Sequence, residues 1–399
     1  MAPAAAAPVL ALGDDLLREV FLRLPAPADL LRAAAACKPF LRAARSAPFL
    51  RRFRRRRPSS CPHLLGFLLL FPDRRRARFH PLSASPSPSS ASSSSSAAGS
   101  ADGGGDFALS FLPGGDWQGG AAAATWEHLG YRNGRLLIKN LESQELAIAD
   151  PISRRSVFLP APPASGGAVG YGLFADDGDS SDFRVVCLSR DAASGELRAL
   201  YLSSGDGELS WANVAGVACQ LGLAAGSRAM QANRSLYWRL EGGGRLLAFS
   251  TAAMELSVLD LPPALRELSF DAVDRGEEED ASVLHLLTMS GFCIEVWAGT
   301  GDGDGGMAWR RVDKSVRFHK LLREMIQPSR RSYQLGGVDV IGVAAGVVFL
   351  RQWNHLFSIE LDTMKLKMLP SKDCCEALIC PYTIVWPPYF LNPAGQEVA

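Results

Sequence analysis

The sequence has little on which catalysis or metal binding could be built. It contains no Cys-x-x-Cys, no His-Glu-x-x-His, no Gly-x-Ser-x-Gly and no Gly-Lys-Ser/Thr. Those absences remove, in turn, clustered zinc ligands, the zincin helix, the hydrolase nucleophile elbow and the phosphate loop. The eight cysteines (Cys37, Cys61, Cys187, Cys219, Cys293, Cys374, Cys375 and Cys380) are scattered, mostly in apolar runs, as buried free thiols are. That usage points to a reducing compartment. The six histidines (His63, His80, His128, His285, His319 and His355) lie far apart, and their spacing gives no support to a Ser-His-Asp set. Gly301-x-Gly303-x-x-Gly306 has dinucleotide-loop spacing, but Asp302 and Asp304 inside it would repel phosphate, so it reads as a hairpin loop. No apolar run approaches the ~18 residues of a membrane span. The opening MAPAAAAPVLALG carries no basic residue before its apolar stretch and runs into Asp14-Asp15, so it is not read as a secretory signal. A soluble intracellular chain without catalytic residues, metal or cofactor is expected.

Charge is balanced overall and divided within. Lys+Arg 42 against Asp+Glu 41 gives +1. Residues 1–80 hold 16 basic and 5 acidic residues, net +11, and the remainder holds 26 and 36, net −10. A basic N-terminal module thus joins an acidic body. Its densest run, Arg51-Arg52-Phe53-Arg54-Arg55-Arg56-Arg57, has three readings: a solvated helix end, a nuclear import signal, or phosphate contacts to nucleic acid. No aromatic platform accompanies the arginines, and nucleic acid is not expected as a partner.

Residues 12–57 read as four short helices. Leu16, Leu17, Val20, Phe21 and Leu24 recur as one apolar stripe, with Asp14 suited to the N-cap and Pro25 with Pro27 as the stop. Asp29 opens a second helix, a third covers Phe40–Arg45, and Ser46 caps a fourth. Beyond residue 64 the period becomes strand-like, with short apolar runs at Leu64–Phe71 and Phe107–Leu112. Between them residues 81–106 hold eleven serines with Pro, Ala and Gly, and are expected to be a disordered insertion.

The body carries a weak repeat. Residues 145–150, 255–260 and 356–362 look like one alternating strand ending in Asp. Two strands with Trp fall between them, and the markers Asp150, Trp211, Asp260, Trp309 and Asp362 are spaced 61, 49, 49 and 53. Units of ~50 residues with turns such as Asn133-Gly134 and Gly242–Gly244 suit propeller blades. Five or six blades would fill 64–390, closed by pairing Leu64–Phe71 with strands around Tyr382–Trp386. Trp211, Tyr237, Trp238, Trp297 and Trp309 are expected between blades. One helical patch is read at Ser315–Met325.

The stretch LeuGlyAspAspLeuLeuArgGluValPheLeuArgLeuPro (12–25), continued by 28–43 and 46–54, resembles an F-box and the segment after it in a large grass-plant family. AsnGlyArgLeuLeuIle (133–138), SerLeuTyrTrpArgLeu (235–240), IleGluValTrpAla (294–298) and ProTyrThrIleValTrpProPro (381–388) resemble that family's associated β-propeller-like domain. The resemblance implies a flexible start (1–11), an F-box (12–57), a propeller-like domain (64–390) and a tail (391–399). It implies docking on a Skp1-type adaptor, and through it a cullin ubiquitin ligase, through Leu12, Leu16, Val20, Leu24, Pro25, Leu30, Cys37 and Phe40. The propeller would hold the protein to be ubiquitinated, in the nucleus or the cytoplasm. Gly13 stands where the family usually has Pro, and Phe40 where it often has Trp, which implies weakened docking. Two other readings stay open: a Skp1-binding scaffold outside a ligase, and a propeller enzyme with an accessory helical module.

Overall fold

The computed structural model describes residues 12–24, 27–55, 63–70, 77–82, 107, 109–113, 126–163, 167–175, 182–205, 209–273, 283–291, 293–301, 306–317, 337–361, 363–369, 378–384 and 391. Four helices come first: α1 (Asp14–Phe21), α2 (Pro27–Ala36), α3 (Lys38–Ala44) and α4 (Ala47–Arg55). The N-cap of α1 is Gly13, not Asp14; Asp14 and Asp15 form its first turn, where carboxylates suit the helix dipole. Helix α2 begins at Pro27, two residues before Asp29, because proline's fixed φ and missing N–H are tolerated at the first helical position. Leu17, Phe21, Leu30, Leu31, Ala34, Phe49 and Phe53 fill the space between the helices. Phe21 meets Phe40 and Phe49 edge-on, with ring centroids 5.5 and 6.2 Å away.

Twenty-three strands follow among the described residues, arranged as six blades. β1 (His63–Leu70) and β2 (Ala77–Pro81) belong to the last blade and are taken up below. Blade 1 is β3 (Trp126–Arg132), β4 (Arg135–Asn140), β5 (Leu146–Asp150) and β6 (Arg155–Leu159). Blade 2 is β7 (Ala168–Phe174), β8 (Arg184–Arg190), β9 (Leu197–Ser203) and β10 (Ala212–Val217). Blade 3 is β11 (Met230–Ala232), β12 (Ser235–Arg239), β13 (Arg245–Ser250) and β14 (Glu255–Asp260). Blade 4 is β15 (Phe270–Val273), β16 (Leu284–Ser290), β17 (Cys293–Gly301) and β18 (Met307–Arg317). Blade 5 is β19 (Asp339–Ala344), β20 (Val347–Gln352), β21 (His355–Glu360) and β22 (Lys365–Leu369).

Blade 6 takes its strands from both ends of the chain. β23 (Leu378–Ile384) pairs antiparallel with β1, from His63↔Ile384 to Leu70↔Leu378, and β1 pairs with β2. The inner strands β3 and β7, β11 and β15, β15 and β19, and β19 and β23 lie side by side, blades 2 and 3 share a core through Trp238, and β23 beside β3 completes the ring. Pro381 fits in β23 because this strand is the blade's inner edge, where one side needs no ladder donor. The architecture is a six-bladed β-propeller preceded by four short helices, closed where the sequence placed the closure.

Three readings of the sequence are corrected. Phe107–Leu112 is not a strand but a turn-rich segment, with Leu109 at φ 56; Leu109 and Leu112 are buried beside the helices and blades 6 and 1. Ser315–Arg317 end strand β18 rather than opening a helix, because Val316 pairs with Ile294 across the ladder; 318–325 lie outside the described residues. Pro81 closes β2 and Leu82 packs against blades 5 and 6, so these two belong to the propeller, while 83–106 lie outside the described residues.

The repeat frame also shifts. Residues 145–150 and 356–360 are third strands, but 255–260 is a fourth strand, β14, equivalent to β6 and β22. The deeper repeat spans two blades, about 100 residues. Asn133, Asn233 and Ala345 turn first strands into second strands in blades 1, 3 and 5, at φ 47, 50 and 49. Arg154, Met254 and Met364 turn third strands into fourth at φ 55, 58 and 55.

Inter-blade seams repeat in the same way. Asn133 Nδ2 donates to Ala175 O (3.3 Å), and Asn233 Nδ2 to Val283 O (2.7 Å), each reaching the next blade. Trp211 Nε1 donates to Pro160 O and Trp309 Nε1 to Asp260 O, both at 2.8 Å, each reaching the preceding blade. Trp238 lies between blades 2 and 3 and donates to Tyr171 O at 3.2 Å. Its ring fits because Gly172 has no side chain; a Cβ there would sit 2.8 Å from it. Tyr237 and Trp297 pack between blades 3 and 4. All five expected aromatics therefore fill seams.

His128 in β3 is buried, and burial pushes its pKa down from 6.5 to about 4. A neutral buried histidine contributes stability in full above pH 6.5, and that contribution fades as pH falls towards 4. Wild type should lose about 2 kcal/mol more between pH 7 and pH 4.5 than His128→Gln, read from urea midpoints. Equal losses would show that His128 does not titrate in this way.

Candidate functional site

Helix α1 is apolar on two faces. Leu17 and Phe21 point into the helical core. Leu16 and Val20, four apart on an adjacent side of the helix, are 59% and 47% exposed, and Leu12, just before the N-cap, is 37% exposed. The single stripe read from the sequence is thus divided between a packing face and a solvent face. A helix that needs only a core does not require the second, and an ordered apolar row in water is a candidate contact surface.

Ion pairs border that row. Arg18 pairs with Asp15 at 2.8 Å, Arg42 with Asp14 at 2.9 Å and Arg52 with Glu19 at 2.5 Å. Arg42 holds the Asp14 carboxyl below the usual carboxylate range. Arg18 Nε also donates to Ala43 O at 3.2 Å, fixing α1 against α3.

The other adaptor residues named by resemblance are distributed differently. Leu30 is wholly buried in the core, so in this conformation it supports the face from beneath and touches nothing outside. Leu24 and Phe40 are half-buried against the same core. Cys37 is a half-buried free thiol at the N-cap of α3. Pro25 lies outside the described residues, as do 1–11 and Arg56 and Arg57.

One core joins the helices to the ring. Leu30, Phe49 and Phe53 belong to the same buried cluster as Leu68 and Leu70 of β1, Tyr382 and Ile384 of β23, and Leu136 and Ile138 of β4. The segment 107–113 fills the joint. Phe107 stacks on Phe79 of β2 at 3.9 Å and meets Tyr382 edge-on at 5.0 Å. Pro113 O accepts a hydrogen bond from Trp126 Nε1 at 3.0 Å. Sequence reasoning missed this joint, because a short apolar run is the same signal for a strand and a buried turn.

A second cluster lies among the inner strands. Arg228, just before β11, donates through Nη1 to Ile379 O (2.6 Å) and, at 3.5 Å, to the Tyr131 hydroxyl. Its Nη2 donates to Ile341 O (2.5 Å) and to Asp271 Oδ2 (3.3 Å). Asp271 Oδ2 also accepts from Val343 N at 2.9 Å. Burial pushes the Asp271 carboxyl up, opposed by Arg228 and by the N–H groups of Val343 and Ala272. Burial works against the charge on Arg228, but Tyr131, Asp271 and Cys380 together outweigh it, and its pKa is raised. Each terminal nitrogen carries two N–H groups and makes two contacts, so all four of those donors are directed to partners within the chain. No sequence signal marks Arg228; the nearest hint is Asp271, a lone carboxylate inside the strand PheAspAlaVal.

Among the described residues no group of three His, Cys, Asp or Glu could hold a metal ion, and no helix is long and apolar enough to cross a membrane.

A family model described as F-box protein AT5G49610-like, beta-propeller, matches residues 129–390; the four helices precede the match. No curated protein matches. Similar solved structures include Ycf48 bound to D1 peptide (8% identity, 62% of this chain and 68% of that one, TM-score 0.34). Ycf48 from Cyanidioschyzon merolae is similar at 9% identity, with 62% and 73% covered and a TM-score of 0.33. The WD40 domain of SCAP from fission yeast is similar at 14% identity, with 61% and 55% covered and a TM-score of 0.29. Likenesses at these scores assign nothing to this chain.

The two faces of α1 predict different costs. Leu17→Ala should destabilise the chain by about 2–5 kcal/mol, and Leu16→Ala by under about 0.5 kcal/mol, in urea titrations. Equal costs would place Leu16 in the core and remove the candidate face.

Proposed function

The chain belongs to the F-box protein family of AT5G49610-like β-propellers, and from that premise we propose that it is the substrate-recognition subunit of a Skp1-cullin-F-box ubiquitin ligase. The observation that carries this reading is the solvent face of α1. Leu16 and Val20 of α1, with Leu12 just before its N-cap, are apolar and exposed although another face of the helix already supplies a core. A groove on a Skp1-type adaptor would bury them, as amphipathic helices are bound elsewhere. Leu24, Cys37 and Phe40 extend the contact at its margin, Leu30 sets its shape from within, and Pro25 is assigned to it by resemblance alone.

The propeller then holds the protein to be modified. The chain itself makes and breaks no bond. Its contribution is to keep a target near a charged ubiquitin carrier, so that a bimolecular encounter becomes a local one. The shared core of helices and ring supports this role, since a joint filled by Phe79, Phe107 and Tyr382 resists reorientation of one part against the other. The setting is the nucleus or the cytoplasm, with Arg51–Arg57 as a candidate import signal.

The reading is tested by affinity purification under proteasome inhibition, comparing wild type with Leu16→Asp/Val20→Asp. Both positions face water, so the variant should keep its melting temperature while adaptor affinity falls about 30- to 1,000-fold. Adaptor recovery equal to wild type would remove the assignment of this face. An adaptor recovered repeatedly without a cullin would favour a scaffold acting outside a ligase.

A further inference from the structure

Arg228 carries an inference that stands apart from the adaptor reading. It leads into blade 3, yet it touches Tyr131 of blade 1, Asp271 of blade 4, Ile341 of blade 5 and Ile379 of blade 6. A side chain that meets the inner strands of four other blades from the lead-in of a fifth crosses the axis of the ring. The axis is where a propeller has least hydrogen bonding between blades, because inner strands face one another by their unpaired edges. Those edges present carbonyls, and here two of them, Ile341 O and Ile379 O, accept from one guanidinium. Asp271 supplies the countercharge and passes the tie onward through Val343 N.

We propose that Arg228 is an axial lock, which fixes the inner strands of five blades about one planar cation and reinforces at the ring's centre the closure made by the β1–β23 pairing. The chemistry suits arginine alone. Its flat fork directs two donors from each terminal nitrogen towards separate acceptors, whereas a lysine ammonium offers three donors at one point and cannot span them. Neighbouring chain leaves room for it: a Cβ on Gly342 would lie 3.3 Å from Arg228 Nη2 and 3.1 Å from the Pro381 ring. Removing the guanidinium leaves Asp271 buried without its cation, together with two inner-edge carbonyls without their donor.

The test compares wild type, Arg228→Ala and Arg228→Lys in the full chain, with and without methylguanidinium at millimolar concentration, by thermal melting and hydrogen exchange. Arg228→Ala should lower Tm by about 10 °C and speed exchange in β3, β15, β19 and β23 together. Methylguanidinium should recover part of that loss in Arg228→Ala and leave wild type unchanged. Arg228→Lys should fall between the two and gain nothing from the added ion. Faster exchange confined to the lead-in of β11, or equal response of wild type and Arg228→Ala to methylguanidinium, would overturn the lock. If Arg228→Ala does not fold, Arg228→Lys decides: a Tm and exchange pattern equal to wild type would overturn it as well.

Discussion

Seven residue pairs between β1 and β23 hold the two ends of the propeller together, from His63 with Ile384 to Leu70 with Leu378. Every other blade is a meander of four consecutive strands and could form locally; blade 6 cannot, because its strands come from opposite ends of the chain. Closing so long a loop has an entropic cost, but that cost grows only slowly with length. The return is large. Leu68 and Leu70 are buried on one face of β1 and Phe67 and Leu69 on the other, so this strand is core on both sides. Without the pairing, blades 1 and 5 would each present a bare seam to water.

The helices depend on the same blade. Their buried side chains continue into Leu68, Leu70, Tyr382 and Ile384, and the segment 107–113 packs into the joint. Four helices of seven to ten residues have too little core to be stable alone. Attached to the ring's closing blade, α1 can leave Leu12, Leu16 and Val20 in water while Leu17 and Phe21 anchor it. Ring closure and presentation of the apolar face are therefore one structural problem with one solution.

Much of this was legible in the sequence. The shift of period from helix to strand, the Asn-Gly and Gly-rich turns and the closure of Leu64–Phe71 on Tyr382–Trp386 all follow from local patterns. Those patterns are strong because a strand buried on both faces and a tight turn each restrict residue type. Less was legible where one signal serves two structures. The apolar run Phe107–Leu112 became a buried turn, and the α1 stripe divided into two faces. The strand 255–260 was aligned with third strands although it is a fourth, because GluLeuSerValLeuAsp resembles GluLeuAlaIleAlaAsp without sharing its place in the blade. Arg228 was not legible at all. Its role depends on four partners brought together only by the closed ring, and no spacing along the chain encodes them.

Closure by the shared blade is the claim on which the account rests, and truncation after Lys372 tests it most directly. The truncated chain lacks β23, leaving β1 without its inner partner, Phe67 and Leu69 without Ile379, and Leu68 and Leu70 without Cys380, Tyr382 and Ile384. It should be insoluble, or unfold without a single cooperative transition. A soluble 1–372 chain with one sharp transition would contradict the account, because ring and helices would then be held by something other than blade 6.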